Sequence, residues 1–209
     1  DNISYKIGMM YLNSKGTDID LECAEKYLLL SADSNNYKAQ YMLGKLYQSD
    51  NKKDLQKAEK VLIKGAENAQ DKTGLCEYSL GKLYLSQERY DKAASYLERS
   101  AAKDNYYAAY TLGKLYQEQF NDNALAEKHL MHAAEHKDDV MGIAAYRLGK
   151  LYLSFQEKRK ALQYFIKAAD KDNTYGMYAA GKILLDSRKS TEVSKGIRYL
   201  SSAADKDFE

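Results

Sequence analysis

Leu80-Gly81-Lys82-Leu83-Tyr84 is one of four identical five-residue stretches in this chain; the others are at 43–47, 112–116 and 148–152. Two looser copies, Ile7-Gly8-Met9-Met10-Tyr11 and Ala180-Gly181-Lys182-Ile183-Leu184, extend the series to six anchor glycines. Successive glycines are separated by 36, 37, 32, 36 and 32 residues. A period near 34 describes a stack of supersecondary units, each too small to bury a core alone. Around each anchor the apolar residues keep helical spacing: Leu80, Leu83 and Tyr84 fall on one face at about 100° per residue. A glycine inside a helix costs about 1 kcal/mol relative to alanine, so six at one register predict close approach of a second helix.

That second helix is visible 12 to 16 residues further on. Its copies read Ala24-x-x-Tyr27-Leu28 with Ala32, Ala58-x-x-Val61-Leu62 with Ala66, and Ala93-x-x-Tyr96-Leu97 with Ala101. The series continues as Ala126-x-x-His129-Leu130 with Ala134, Ala161-x-x-Tyr164-Phe165 with Ala169, and Gly196-x-x-Tyr199-Leu200 with Ala204. Two antiparallel helices per repeat, A then B, joined by short polar loops, predict an all-α, right-handed α-solenoid of about six helix pairs. We expect one repeat domain over 1–209, with repeats near 1–36, 37–71, 72–104, 105–138, 139–172 and 173–207.

The order Leu-Gly-x-x-Tyr, then Lys-Ala-x-x-Tyr-Leu, then a small residue followed by Ala, resembles the Sel-one-like repeats, a branch of the tetratricopeptide (TPR) superfamily. The resemblance runs along the whole chain. It implies a bacterial helical-repeat scaffold whose helix A positions line a concave, peptide-binding groove. It also implies a second possibility, because such repeats occur as accessory modules of larger bacterial enzymes such as mobilisation nucleases. The loops between helices A and B depart from the family: only the first unit keeps a glycine-bearing loop with a downstream acid, Lys15-Gly16-Thr17-Asp18, while Ser86-Gln87-Glu88-Arg89-Tyr90-Asp91 is shorter and TPR-like.

The linkers from helix B back to helix A carry a second period. From the B-helix alanine to the next anchor glycine there are 12, 15, 12, 15 and 12 residues, and anchors two units apart differ by 69, 68 and 68. We read the central array as a duplicated pair of repeats, which predicts alternating junctions.

On the helix A face opposite the packing face lies a Tyr-x-x-x-Lys ladder: Tyr41/Lys45, Tyr78/Lys82, Tyr110/Lys114, Tyr146/Lys150 and Tyr178/Lys182. In the first unit the same registers hold Tyr5 and Met9. One further turn on come Leu12, Gln48, Leu85, Gln117, Leu153 and Leu185. The expected peptide-binding residues are therefore the five Tyr/Lys pairs with Leu85 and Leu153, the lysines meeting carboxylates and the rings supplying rigid area and a hydroxyl. The plain alternative is that duplication copied the pairs, tyrosine serving packing and lysine remaining solvated.

Composition excludes several other classes. A net charge of +2 arises from 32 basic and 30 acidic residues in close mixture, which leaves no single-sign field for nucleic acid or anionic lipid. No apolar run approaches the roughly 18 residues of a membrane span. Proline is absent, so Gly, Asn, Asp and Ser must make the turns. Cys23 and Cys76 sit at unlike repeat positions, and they lack the disulfide in each repeat that relatives with hydrolase claims carry; reduced thiols in a cytoplasmic protein are expected. No initiator methionine or signal peptide is present, the chain opens inside a first helix, and a seventh unit would begin at the end, so we expect an excerpt of a longer protein.

No catalytic residue, metal site or cofactor is expected. His129, His132 and His136 share one helix side near Glu127, Glu135 and Asp138. Yet His129 stands where other units have tyrosine, and His132 where they have Lys64, Arg99 and Lys167, which fits packing and surface better than ligation. Neither cysteine has a histidine in repeated relation, and no glycine loop is built to cradle phosphate. The expected function is therefore a non-enzymatic interaction scaffold for a protein or peptide, acidic or carboxylate-bearing. An accessory module and a plain spacer are the alternatives.

Overall fold

The computed structural model describes residues 2–13 and 20–206. The loop Lys15-Gly16-Thr17-Asp18 lies outside them. Among the described residues there are twelve α-helices, a single 3-10 turn at Asp50–Lys52, and no strand. The A helices are α1 (Asn2–Leu12), α3 (Tyr37–Gln48), α5 (Leu75–Ser86), α7 (Tyr106–Glu118), α9 (Ile143–Ser154) and α11 (Thr174–Leu185). The B helices are α2 (Leu21–Asp33), α4 (Leu55–Ala66), α6 (Tyr90–Ala101), α8 (Asn123–Glu135), α10 (Lys158–Ala169) and α12 (Ser190–Ala204). They fall into two compact units, 1–108 and 109–209. Within the first, α1 packs on α2, α3 on α4 and α5 on α6; within the second, α9 packs on α10 and α11 on α12.

Each anchor glycine lies against the leucine-register residue of its own B helix. A Cβ on Gly44 would sit 2.4 Å from Leu62, on Gly81 2.5 Å from Leu97, on Gly113 2.6 Å from Leu130, and on Gly149 2.6 Å from Phe165. These distances are too short for any side chain, so the glycines set the helix–helix separation. Around them the core is aliphatic and small: Ala24, Leu28, Leu43, Ala58, Leu62, Leu80, Leu97, Leu112, Leu130, Leu148, Ala161 and Phe165 are at most 1% exposed. The B-helix register three after the leucine is the uniformly buried one, held by Ser31, Gly65, Ser100, Ala133, Ala168 and Ala203, whereas Ala204 in the following register is exposed.

The anchor tyrosine joins one repeat to the one before. Its hydroxyl donates to a glutamate on the preceding B helix: Tyr47 to Glu25 at 2.7 Å, Tyr84 to Glu59 at 2.7 Å, Tyr152 to Glu127 at 2.6 Å. Its ring stacks on its own B helix, as Tyr84 does on Tyr96 at 5.5 Å and Tyr152 on Tyr164 at 5.5 Å. His129 occupies this stacking place against Tyr116 at 5.6 Å, in keeping with its tyrosine register.

The two linker lengths correspond to two different constructions. In the short linkers Asn35, Asp104 and Asp172 take positive φ of 60° to 65°, and the next residue caps the helix. Asn36 accepts from Lys38 N, Asn105 from Ala108 N and Asn173 from Gly176 N. In the long linkers the left-handed residue is Gly74 or Gly142, at φ 68° and 62°. Here the cap comes from a buried aspartate further back. Asp71 accepts from Thr73 N, Thr73 Oγ1 and Cys76 N at 3.1, 2.8 and 3.1 Å. Asp139 accepts from Ala144 N and Ala145 N at 3.0 and 3.3 Å. A lysine from the next linker completes each joint, Lys103 on the Asp71 carbonyl at 2.7 Å and Lys171 on the Asp139 carboxylate at 3.2 Å.

Candidate functional site

Helix A spends its Leu-Gly-x-Leu-Tyr face on the core, which leaves the Tyr-x-x-x-Lys face outward. In the first unit Tyr41 and Lys45 of α3 and Tyr78 and Lys82 of α5 line one groove of about 440 Å³. Leu75, Tyr107, Gln48, Ser49 and Ser79 complete its walls. In the second unit Tyr110, Tyr146 and Lys150 line a groove of about 460 Å³ with Met141, Ile143, Arg147, Asp172, Asn173, Thr174 and Tyr175. Lys114, Tyr178, Lys182, Leu85 and Leu153 line neither cavity. Tyr178 and Leu153 are 38% and 41% exposed, Lys182 is exposed, and Leu85 and Lys114 are half-buried.

The two grooves are copies. Tyr41, Leu75, Tyr78, Lys82 and Tyr107 correspond to Tyr110, Ile143, Tyr146, Lys150 and Tyr175 at offsets of 69 or 68 residues. Tyr107 and Tyr175, missed by the ladder pattern, stand one turn before its tyrosine register. Their rings meet those of the preceding A helix, Tyr78–Tyr107 at 6.0 Å and Tyr146–Tyr175 at 5.7 Å. The signal that would have found them is the alternation at this register: Leu75, Tyr107, Ile143, Tyr175, in step with the long and short linkers.

The groove tyrosines act as neutral hydroxyls. Burial, and after it the neighbouring phenols, pushes Tyr41 above the usual phenol range; Tyr146 is raised the same way, by burial and by Tyr175. The ladder lysines lie along their own rings, Nζ to centroid 5.7 Å for Lys45, 6.0 Å for Lys82, 5.9 Å for Lys150 and 5.4 Å for Lys182. Such exposed contacts are worth about 0.5–1 kcal/mol each. Among the described residues none of the five ladder lysines has a carboxylate partner, whereas Lys52, Lys103, Lys167 and Lys171 elsewhere do. Each groove therefore offers rigid aromatic area, an aliphatic floor, hydroxyls and unneutralised positive charge.

The outer registers diverge. Leu12 packs into the core cluster of the first unit, and Gln48 bonds Gly44 O and Ser79 Oγ, so neither serves as a free groove contact. Leu185 is 42% exposed. Cys76 is buried with its thiol 3.6 Å from Tyr37 O, and burial holds it well above the ordinary thiol range; Cys23 is half-buried. His136 accepts from Asp138 N, and among the described residues no group of three or more His, Cys, Asp or Glu is placed to hold a metal ion. No helix among them is long and apolar enough to cross a membrane.

The Sel1 repeat model matches this chain at residues 4–36, 38–70, 142–173 and 174–208, and a tetratricopeptide repeat model matches 75–105. No curated protein matches in sequence. Among solved structures, a Sel1 repeat protein from Oxalobacter formigenes is similar at TM-score 0.70 and 24% identity, over 98% of this chain and 87% of that one. The Pseudomonas aeruginosa pilF protein is similar at TM-score 0.69 and 16% identity, over 98% and 89%. YrrB, described as a TPR protein with an unusual peptide-binding site, is similar at TM-score 0.59 and 20% identity, over 85% and 91%. At these identities the likeness is one of fold.

Proposed function

The chain belongs to the Sel1 repeat family, and on that premise we propose that it is a non-catalytic scaffold that binds an acidic peptide segment of a partner protein along its helix A faces. Repeat folds of this kind are typical protein-interaction scaffolds, and one neighbour of the same fold, YrrB, carries a peptide-binding site. The observation that carries the reading is the pair of copied grooves. Each presents three tyrosines, a branched aliphatic residue and at least one lysine without a carboxylate partner. Rigid aromatic rings give contact area at low entropic cost, and lysine without an intramolecular partner favours a carboxylate from outside. Grooves this small suit individual side chains of an extended or helical segment. Duplex nucleic acid would call for denser positive charge.

The test is selection of peptides from a random displayed library on the 209-residue chain, followed by Lys82→Glu, Lys114→Glu and Lys150→Glu together. Enriched sequences should be acidic, and the triple variant should bind them at least about tenfold more weakly, since each lost charge contact is worth about 0.5–1 kcal/mol at a partly exposed site. Affinity unchanged by the triple variant would sink the groove assignment.

A further inference from the structure

We infer that the groove of the second unit takes one large apolar side chain of that acidic segment, and that the groove of the first unit does not. The inference rests on the peptide-binding reading above and names what this one groove recognises. Its ground is the lip. In both units the long linker that forms the lip is held by the same bond from the next linker's asparagine: Asn105 Nδ2 to Thr73 O at 2.9 Å, Asn173 Nδ2 to Met141 O at 2.7 Å. The backbone course is thus fixed alike, while the side chains differ. The first unit has Lys72 and Thr73 there; the second has Val140 and Met141, 71% and 67% exposed, next to Ile143 at 41%.

Nothing in the joint requires those apolar residues. Thr73 gives its aspartate two bonds, one from its amide and one from its hydroxyl. Methionine has no hydroxyl to give, and Asp139 is satisfied instead by Ala144 N, Ala145 N and Lys171. A position that forgoes a capping bond and leaves two-thirds of a thioether in water serves something outside the fold. Methionine is the side chain that adapts to varied apolar partners.

The charges at the same cavity define the partner's chemistry. Arg147 is bonded to Glu118, and Asp172 is paired with Lys206 at 2.6 Å. What remains uncompensated at the wall is Lys150. A cavity of about 460 Å³ walled by Met141, Ile143, Tyr146 and Tyr175 therefore fits one large aliphatic or aromatic side chain beside a carboxylate.

The probe is the set of peptides selected on the 209-residue chain, measured against Val140→Thr with Met141→Thr, and separately against Thr73→Met. The selected peptides should share a large apolar residue near an acid. The double variant should weaken them about tenfold while its unfolding midpoint stays unchanged or rises, and Thr73→Met should leave their affinity unchanged. If the triple lysine variant abolishes binding but the double variant does not, the groove reading survives and this inference falls. Selected peptides lacking a shared apolar residue overturn it as well. Failure of both sets of substitutions to matter, or failure to select any peptide, overturns both.

Discussion

The two units meet the same mechanical problem with different chemistry, at the joint where a long linker enters an A helix. In the first, α5 opens with Cys76 and Glu77; in the second, α9 carries Ala144 and Ala145 at the matching positions. Glu77 is 1% exposed and takes Lys103 at 2.6 Å, so that Lys103 reaches only the backbone carbonyl of Asp71. With alanine in place of Glu77, Lys171 turns onto the Asp139 carboxylate itself. What both units share is a buried aspartate, a left-handed glycine, a lysine and an asparagine, each offset by 68 residues. The comparison separates these obligatory parts of the joint from an optional carboxylate. Glu77 even leaves its Oε2 without a hydrogen-bond partner, as expected of a group the joint can do without.

Exchanging the optional residue is the strongest way to break that view. Ala145→Glu would bury a carboxylate beside Asp139, whose two oxygens already hold the first turn of α9. Two like charges there, sharing one Lys171, should cost about 3–5 kcal/mol, read as a lower denaturant midpoint. The reverse change, Glu77→Ala, leaves Lys103 on the Asp71 carbonyl and partly solvated, and should cost no more than about 1 kcal/mol. A large loss for Glu77→Ala would make the carboxylate obligatory in its own unit and end the distinction.

The shared glycines come next. A Cβ on Gly74 would lie 2.9 Å from Ser100 Cα, and on Gly142 2.8 Å from Ala168 Cα, both at positive φ. Backbone cannot yield as a side-chain tip can. Gly74→Ala and Gly142→Ala should each cost about 2–4 kcal/mol, combining left-handed strain with overpacking. Closely matched losses in thermal or denaturant unfolding are the expected result; one benign substitution would show that the joints are not the same device.

The anchor register was readable because glycine inside an amphipathic helix conflicts with its own propensity, and only close packing resolves the conflict. The alternation of linkers was readable by counting residues. Asp71 and Asp139 were not, because an aspartate in a polar linker looks like any solvated turn residue. Burial is what makes them caps, and burial depends on Lys103 and Lys171 arriving from some 32 residues further on. In the grooves the −3 tyrosine and +1 lysine registers were legible from their recurrence. Tyr107 and Tyr175 escaped because their register repeats every second unit, so a comparison of neighbouring repeats sees tyrosine beside leucine or isoleucine and finds no rule. Leu12 and Gln48 were read as groove-facing from helical phase alone, which does not say that a core cluster or a neighbouring serine will claim them.

The smallest expected difference lies in the inter-repeat hydroxyl bond, which both units share. Tyr84 donates to Glu59 in the first and Tyr152 to Glu127 in the second, at 2.7 and 2.6 Å. Glu59 also has Arg89 at 3.8 Å, whereas Lys160, which lies over the Tyr152 ring, is paired with Glu157 instead. Removing the hydroxyl should therefore strand Glu127 more than Glu59: about 1 kcal/mol for Tyr84→Phe and about 1.5 kcal/mol for Tyr152→Phe. The pH dependence has a definite sign. Burial first, and the facing glutamate second, raise both phenols above their ordinary value of 10.0, so the folded state favours the protonated form. The stabilisation is complete below pH 10 and is lost as pH rises through the folded value. Each Tyr→Phe variant should lose less stability between pH 9 and 12 than the parent does, even though it starts lower. Parallel alkaline curves for parent and variants would mean that the hydroxyls are not held by the glutamates, and the two units would then be joined at this point by ring stacking alone.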